Sequence, residues 1–331
     1  MTAPQLAPLR RIRRPVLLAL GCSGLVFAMS SLDAAPVGAM MRRPPSVYVA
    51  NASSNTVSVI DTATNTVTDT IPVVDPIGVA ATPNGKSVYV TDRSSNMVTV
   101  INSATNTVTD TVPVGSEPRG VAISPNGETA YVANYNSSTV SVIDTATNTV
   151  TDTVPAGPGP WAIAVTPNGE EAYVADDYNN QVTVISTATN AITATVTMAY
   201  FTDGAAVTPN GKEAYVTING RNVVSVIDTA TNEVTHNVVS GGYAVAIDRK
   251  NRSAYVSSEN AVYVINTKTN TVTATVPVEG VSLGMAVTPD GSTAYVTNFD
   301  SGSVTVIDTR TNTVTETVPV GTSPTGLAVA K

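Results

Sequence analysis

The 331-residue chain contains one cysteine, one histidine and one tryptophan, and only 13 % of its residues are Asp, Glu, Lys or Arg. Each scarcity excludes something. With Cys22 and His236 as the sole thiol and imidazole, zinc, copper and haem ligation have almost no donors. Ser–His and Cys–His nucleophilic devices fail on the same ground. No cofactor, metal site or catalytic residue is therefore expected. A hydrolase built from this composition has to work with carboxylates, Arg or Tyr. Basic groups are outnumbered as well, 17 against 25 acidic, which weighs against nucleic acid as a partner because phosphate contacts need a positive surface.

The first 39 residues have the pattern of an export signal. Arg10, Arg11, Arg13 and Arg14 precede an apolar run from Pro15 to Met29, and Val37-Gly38-Ala39 supplies a small-residue cleavage site. The run is about 15 residues, short of the roughly 20 that span a bilayer. Membrane attachment is expected only if the signal stays uncleaved. Its removal takes four Arg and one Asp, leaving 13 basic against 24 acidic groups, a formal −11. Cys22 leaves too, so stability has to come from packing rather than disulfides. The expected location is the periplasm, the cell surface or the medium, with residues 40–45 as a linker.

What is abundant is repetition. "TVSVIDTATNTVTDT" occupies residues 56–70 and returns unchanged at 139–153. Tyr-Val recurs at 48, 89, 131, 173, 215, 255 and 295, at intervals of 40 to 42 residues. A period near 40 with short β-branched strands indicates a β-propeller with four antiparallel strands per blade. In one unit, Gly120–Ser124, Thr129–Ala133, Thr139–Ile143 and Thr149–Pro155 read as the four strands. Asn-Gly or Asp-Gly turns at 84, 126, 168, 210 and 290 supply the positive φ of tight hairpins. In Asp144-Thr-Ala-Thr-Asn148 the Asp caps the turn and the Asn tolerates the left-handed conformation. The first unit lacks an inner strand, and the chain ends on a spare one, Gly326–Ala330. That predicts an all-β, seven-bladed propeller over residues 46–331, closed by the C-terminal strand completing the N-terminal blade.

Tyr295-Val-Thr-Asn298, Tyr48-Val-Ala-Asn51 and Tyr131-Val-Ala-Asn134, with "VIDTATNTV" and "AVTPNG", resemble the repeats of the YVTN β-propeller family over about residues 46–331. That family includes surface-layer proteins and exported YncE-like propellers, and it neighbours seven-bladed lactonases. The resemblance implies an exported propeller and no single reaction. YncE-like relatives are associated with DNA binding, for which Arg93, Arg119 and Arg221 among aromatics would be the place.

Function is sought where the copying stops. Tyr135, Tyr178 and Phe299 lie between second and third strands, whereas Trp161, Tyr200, Phe201 and Tyr243 lie between a fourth strand and the next blade's first. Both loop types emerge on one face, so these aromatics, with Arg93, Arg119, Asp176 and Asp177, are expected around one mouth of the channel. Asn51, Asp92, Asn134, Asp176 and Asn298 follow Tyr-Val-x in register. They can bind a hard cation or cap their own loops, and capping is preferred. The expected function is non-catalytic: a monomer binding a protein or glycan at the cell envelope through this mouth. The alternatives are a lactonase-like hydrolase using the same mouth, a surface-layer component and a DNA-binding protein.

Overall fold

A computed structural model describes residues 44–331; the proposed signal and most of the linker lie outside the described residues. Within them, 28 strands form seven four-stranded antiparallel sheets. Blade 1 takes its inner strand from the far end of the chain: Pro324–Ala330 pairs with Ser46–Asn51, bringing Tyr48 opposite Ala328. Thr56–Asp61 and Thr66–Pro72 complete it. Blades 2 to 7 then follow in chain order over residues 76–113, 118–155, 160–197, 202–239, 245–281 and 285–319.

The sequence determines this layout through alternation. Third strands such as Thr139–Asp144 are buried on both faces, whereas fourth strands such as Thr149–Pro155 are exposed at the rim. Successive side chains of a third strand point to opposite faces, and each face meets a different neighbouring blade. Tyr48, Val57, Val59 and Ile71 of blade 1 accordingly pack against Val88, Val90 and Ile101 of blade 2. Val47, Val49 and Ile60 pack the other way, against Tyr295, Val304 and Val306 of blade 7, which closes the ring. Cohesion is therefore a sum of nearest-neighbour contacts. His236 lies exposed on the rim strand Glu233–Val239.

The repeated Tyr and the turn Asn form one device. The Tyr89 hydroxyl donates to Asn148 Oδ1 of the next blade at 2.6 Å. Equivalent bonds join Tyr48 to Asn106 at 2.6 Å and Tyr173 to Asn232 at 2.7 Å, and Tyr295 to Asn65 at 2.8 Å spans the closure. Each acceptor Asn sits in the left-handed region, with φ of 50° to 57°, a conformation that only Gly and Asn adopt readily. The turn Asp caps as expected: Asp144 Oδ1 accepts the Ala146 and Thr147 amides at 2.9 Å, and these bonds hold its carboxyl below the usual range.

Inner strands approach one another closely at the axis. A Cβ on Gly78 would lie 2.1 Å from the Arg119 carbonyl oxygen, and one on Gly284 would lie 2.1 Å from that of Thr325. In blades whose motif reads Tyr-Val-Thr, the threonine ties the strands together. Thr91 Oγ1 accepts from the Gly78 amide and donates to the Arg119 carbonyl, both at 2.7 Å. Blades with Tyr-Val-Ala lack that hydroxyl.

Candidate functional site

In blades 1 to 5 the inner strand starts earlier than the repeat pattern suggests, whereas in blades 6 and 7 it is shortened to Val245–Ile247 and Met285–Val287. In blade 3 it runs Pro118–Ile123, with a bulge between the residues paired to Asn134 and Val132 that leaves Arg119 and Gly120 outside the ladder. A bulge re-aims a side chain, and here it turns the residue ahead of the small one toward the channel. Register places one such residue in every blade, each two positions before the partner of the motif valine. Around the axis these are Thr325, Ile77, Arg119, Trp161, Asp203, Tyr243 and Leu283. Seven equivalent positions thus carry seven different residues on a scaffold that is otherwise copied.

All seven line one cavity of about 450 Å³ at the channel mouth, joined by Arg93 and Phe299 from second–third loops. The two loop types therefore share a face. The wall is divided: Ile77, Leu283, Met285, Leu327 and Phe299 make an apolar sector, while Arg119, Trp161 and Asp203 make a polar and aromatic one on three successive blades.

In the polar sector the Arg119 guanidinium lies 4.1 Å from the Trp161 ring centroid and 4.6 Å from that of Tyr135. Tyr135 meets Trp161 edge-on at 5.6 Å and Tyr178 at 5.1 Å. Behind them Gly159, at φ +72°, leaves room that a Cβ would take from Tyr178 at 2.9 Å. The Tyr135 hydroxyl donates to Asp177 Oδ2 at 3.2 Å. Asp203 is only 6 % exposed. Burial, reinforced by the charge of Asp177, pushes its carboxyl up to about 7, against the opposing pull of the Asn219 side chain and Arg119. Burial likewise lowers Arg119 and raises Asp177.

The expected site residues are distributed as follows. Arg93, Arg119, Trp161, Tyr243 and Phe299 line the cavity, and Arg93 is held by a bidentate pair to Asp75 at 2.9 and 3.0 Å. Tyr135, Asp177 and Tyr178 form the layer behind Arg119. Tyr200 and Phe201 meet edge-on at 4.6 Å, with Arg221 over Tyr200 at 4.9 Å, and neither aromatic lines the cavity. Asp176 is fully buried in its own hairpin, where Thr183 Oγ1 and Gln181 Nε2 donate to Oδ2, and burial lifts its carboxyl to about 6. Its side chain therefore does not face the mouth.

The other residues of that series behave alike. Asn51 Nδ2 donates to Thr56 and Ser58, Asn134 Nδ2 to Thr139 and Ser141, and Thr99 donates to Asp92 at 2.6 Å. Each reaches across to the third strand of its own blade instead of converging with its counterparts. Among the described residues no group of three or more His, Cys, Asp or Glu could hold a metal ion.

Two side chains of the polar sector, Asp203 and Asn219, stand outside the expected binding set. Asp203 stands out only when the seven ring positions are aligned by register, two residues before Ala205, the partner of Val216. Asn219 carries no sequence signal of its own; it follows Ile218, which breaks the Asx series.

Residues 45–154, about a third of the chain, match the family model described as Lactonase, 7-bladed beta-propeller. No curated protein matches the sequence. Among solved structures, Kuenenia stuttgartiensis Hydrazine Synthase is similar at 24 % identity and a TM-score of 0.74, covering 80 % of this chain and 92 % of that one. A functionally unknown protein from Desulfotomaculum acetoxidans aligns at 17 % identity and a TM-score of 0.76, covering 86 % and 98 %. Dihydro-heme d1 dehydrogenase NirN, solved in complex with DHE, aligns at 15 % and 0.64, covering 86 % of this chain and 74 % of that one. At these identities the likeness concerns fold, and the functions named differ, as expected when sites rather than folds carry function.

Proposed function

We propose that this propeller is a non-catalytic binding protein of the cell envelope whose channel mouth takes the end of a glycan. The observation that carries this is the ring of seven unlike residues around a cavity of about 450 Å³ on a scaffold that is otherwise copied. A concavity of that size suits a small ligand or chain end better than the broad, flat patch of a protein–protein interface. The faces of Trp161, Tyr243 and Phe299 suit the apolar face of a sugar ring. Arg119 and Asp203 offer hydroxyl groups a donor and an acceptor in a partly desolvated wall. Export, read from the N-terminal pattern, would bring this mouth to envelope saccharides.

Trp161 is the chain's only tryptophan, so its fluorescence reports on the mouth alone. Titration of the full chain with neutral and acidic oligosaccharides should change its emission saturably. A Tyr243→Ala variant of unchanged thermal stability should bind at least tenfold more weakly. Emission indifferent to every saccharide would end this proposal.

A second reading, lactone hydrolysis, is favoured by the partial lactonase match and by a buried carboxyl lifted to about 7 inside the cavity. A group with that value can act as a general base near neutral pH. Turnover of a lactone panel by the parent, abolished in Asp203→Asn, would replace binding with catalysis.

A further inference from the structure

The cations at the mouth are not equivalent. Arg93 is closed by its two bonds to Asp75, and Arg221 lies over Tyr200 away from the cavity. Arg119 alone lines the cavity without an anion. Among the described residues its side chain makes no hydrogen bond and no ion pair, and its buried Nε–H has no acceptor. The faces of Trp161 and Tyr135 hold the guanidinium in place, but a π face cannot satisfy its in-plane N–H groups. A buried donor left unpaired is costly, and a planar fork of donors matches a carboxylate in bidentate fashion.

None of the nearby carboxyls pairs with it: Glu117, whose charge bears most on Arg119, makes no ion pair with it. Asp177 accepts from the Tyr135 hydroxyl, and the Asn219 side chain attends Asp203. Neither comes within ion-pair distance of Arg119. Their negative charge still bears on what can enter: a dianion such as a phosphate monoester is repelled more strongly than a single carboxylate.

Resting on the saccharide reading above, we infer that the sugar bound in the mouth is acidic, a uronate-type residue whose carboxylate is received by Arg119 while its ring lies against Trp161. The stacked pair then acts as a preformed receptor, with the guanidinium ordered before the ligand arrives. The apolar sector, with Ile77 beside Arg119 on the neighbouring blade and Leu283 and Met285 farther round the wall, takes the ligand's less polar side.

The test uses the full chain with two probes, trigalacturonate and its fully methyl-esterified, uncharged counterpart. Binding is read by Trp161 emission and by calorimetry at pH 7.5. The expected result is that the acid binds at least tenfold more tightly than the ester. Arg119→Gln should reduce that ratio to about two or less, and Arg119→Lys should restore only part of it. Both variants are compared after confirming the parent's unfolding temperature. Equal binding of acid and ester by the parent overturns the carboxylate assignment and leaves the saccharide reading standing. A preference for the acid that survives in Arg119→Gln overturns the role of Arg119. Silence from both probes overturns the saccharide reading and this inference with it.

Discussion

Replacing Asp203 by Asn should change how stability depends on pH. The carboxyl is 6 % exposed, and burial lifts it from 3.8 to about 7. The folded protein therefore binds this proton more tightly than the unfolded chain. Its stabilising contribution is fully present below the unfolded value of 3.8 and is lost as pH rises through about 7. One pKa unit corresponds to about 1.4 kcal/mol. Between pH 5 and pH 8 the folded carboxyl gives up its proton while the unfolded one is already ionised, a loss of about 3 kcal/mol from this residue. Asp92, lifted to about 7, and Asp176, lifted to about 6, add slopes of the same sign, so the parent's total dependence is steeper still. The decisive quantity is the difference between parent and variant. Urea unfolding of both at pH 5 and pH 8, with unchanged m-values, should show the variant gaining about 3 kcal/mol on the parent as pH rises. Parallel curves would refute the claim that Asp203 is held as a buried, largely desolvated acid beside Asp177.

Tyr89→Phe removes one interblade bond of 2.6 Å and should cost about 1 kcal/mol in urea unfolding. Asn148→Ala should cost roughly 2–3 kcal/mol, because it strands the Tyr89 hydroxyl and puts a Cβ-bearing residue at φ 52°. Asn148→Gly should fall between the two. Gly284→Ala places a Cβ 2.1 Å from the Thr325 carbonyl and should cost about 3 kcal/mol or more, whereas Gly291→Ala, at φ +75° with nothing within 4 Å, should cost about 1–2 kcal/mol. Equal losses at the two glycines would show that inner-strand crowding does not constrain the axis. Arg93→Met, which opens a pair whose partners are 37 % and 17 % exposed, should lower stability by no more than about 1 kcal/mol.

The sequence specifies this fold several times over. Each copy repeats the alternation, the turn glycine, the capping Asp and the left-handed Asn, so an ambiguous segment in one blade is resolved by its counterparts. The spare C-terminal strand even showed how the ring closes. The site was only partly legible. Taking the inner strand to begin at Gly120 left Arg119 and Trp161 as loop residues, because a bulge adds a residue without altering composition. The pairing of Val121 with Val132 is what moves Arg119 into the ring and brings Asp203 into line with it. Asp176 shows the opposite limit: as the last residue of its strand it points into its own hairpin, toward Gln181 and Thr183, while Asp177 next to it opens the turn. Tyr200 and Phe201 illustrate a third, since belonging to the right loop type brought them to the mouth face without placing them in the cavity.

The most direct test of the central claim is a crystal structure of the full chain with the tightest-binding oligosaccharide. One sugar ring should stack on Trp161 inside the mouth, with Tyr243 and Phe299 also lining it and a carboxylate on the Arg119 guanidinium. A saccharide bound on the outer rim strands, with the mouth unaltered, would contradict it.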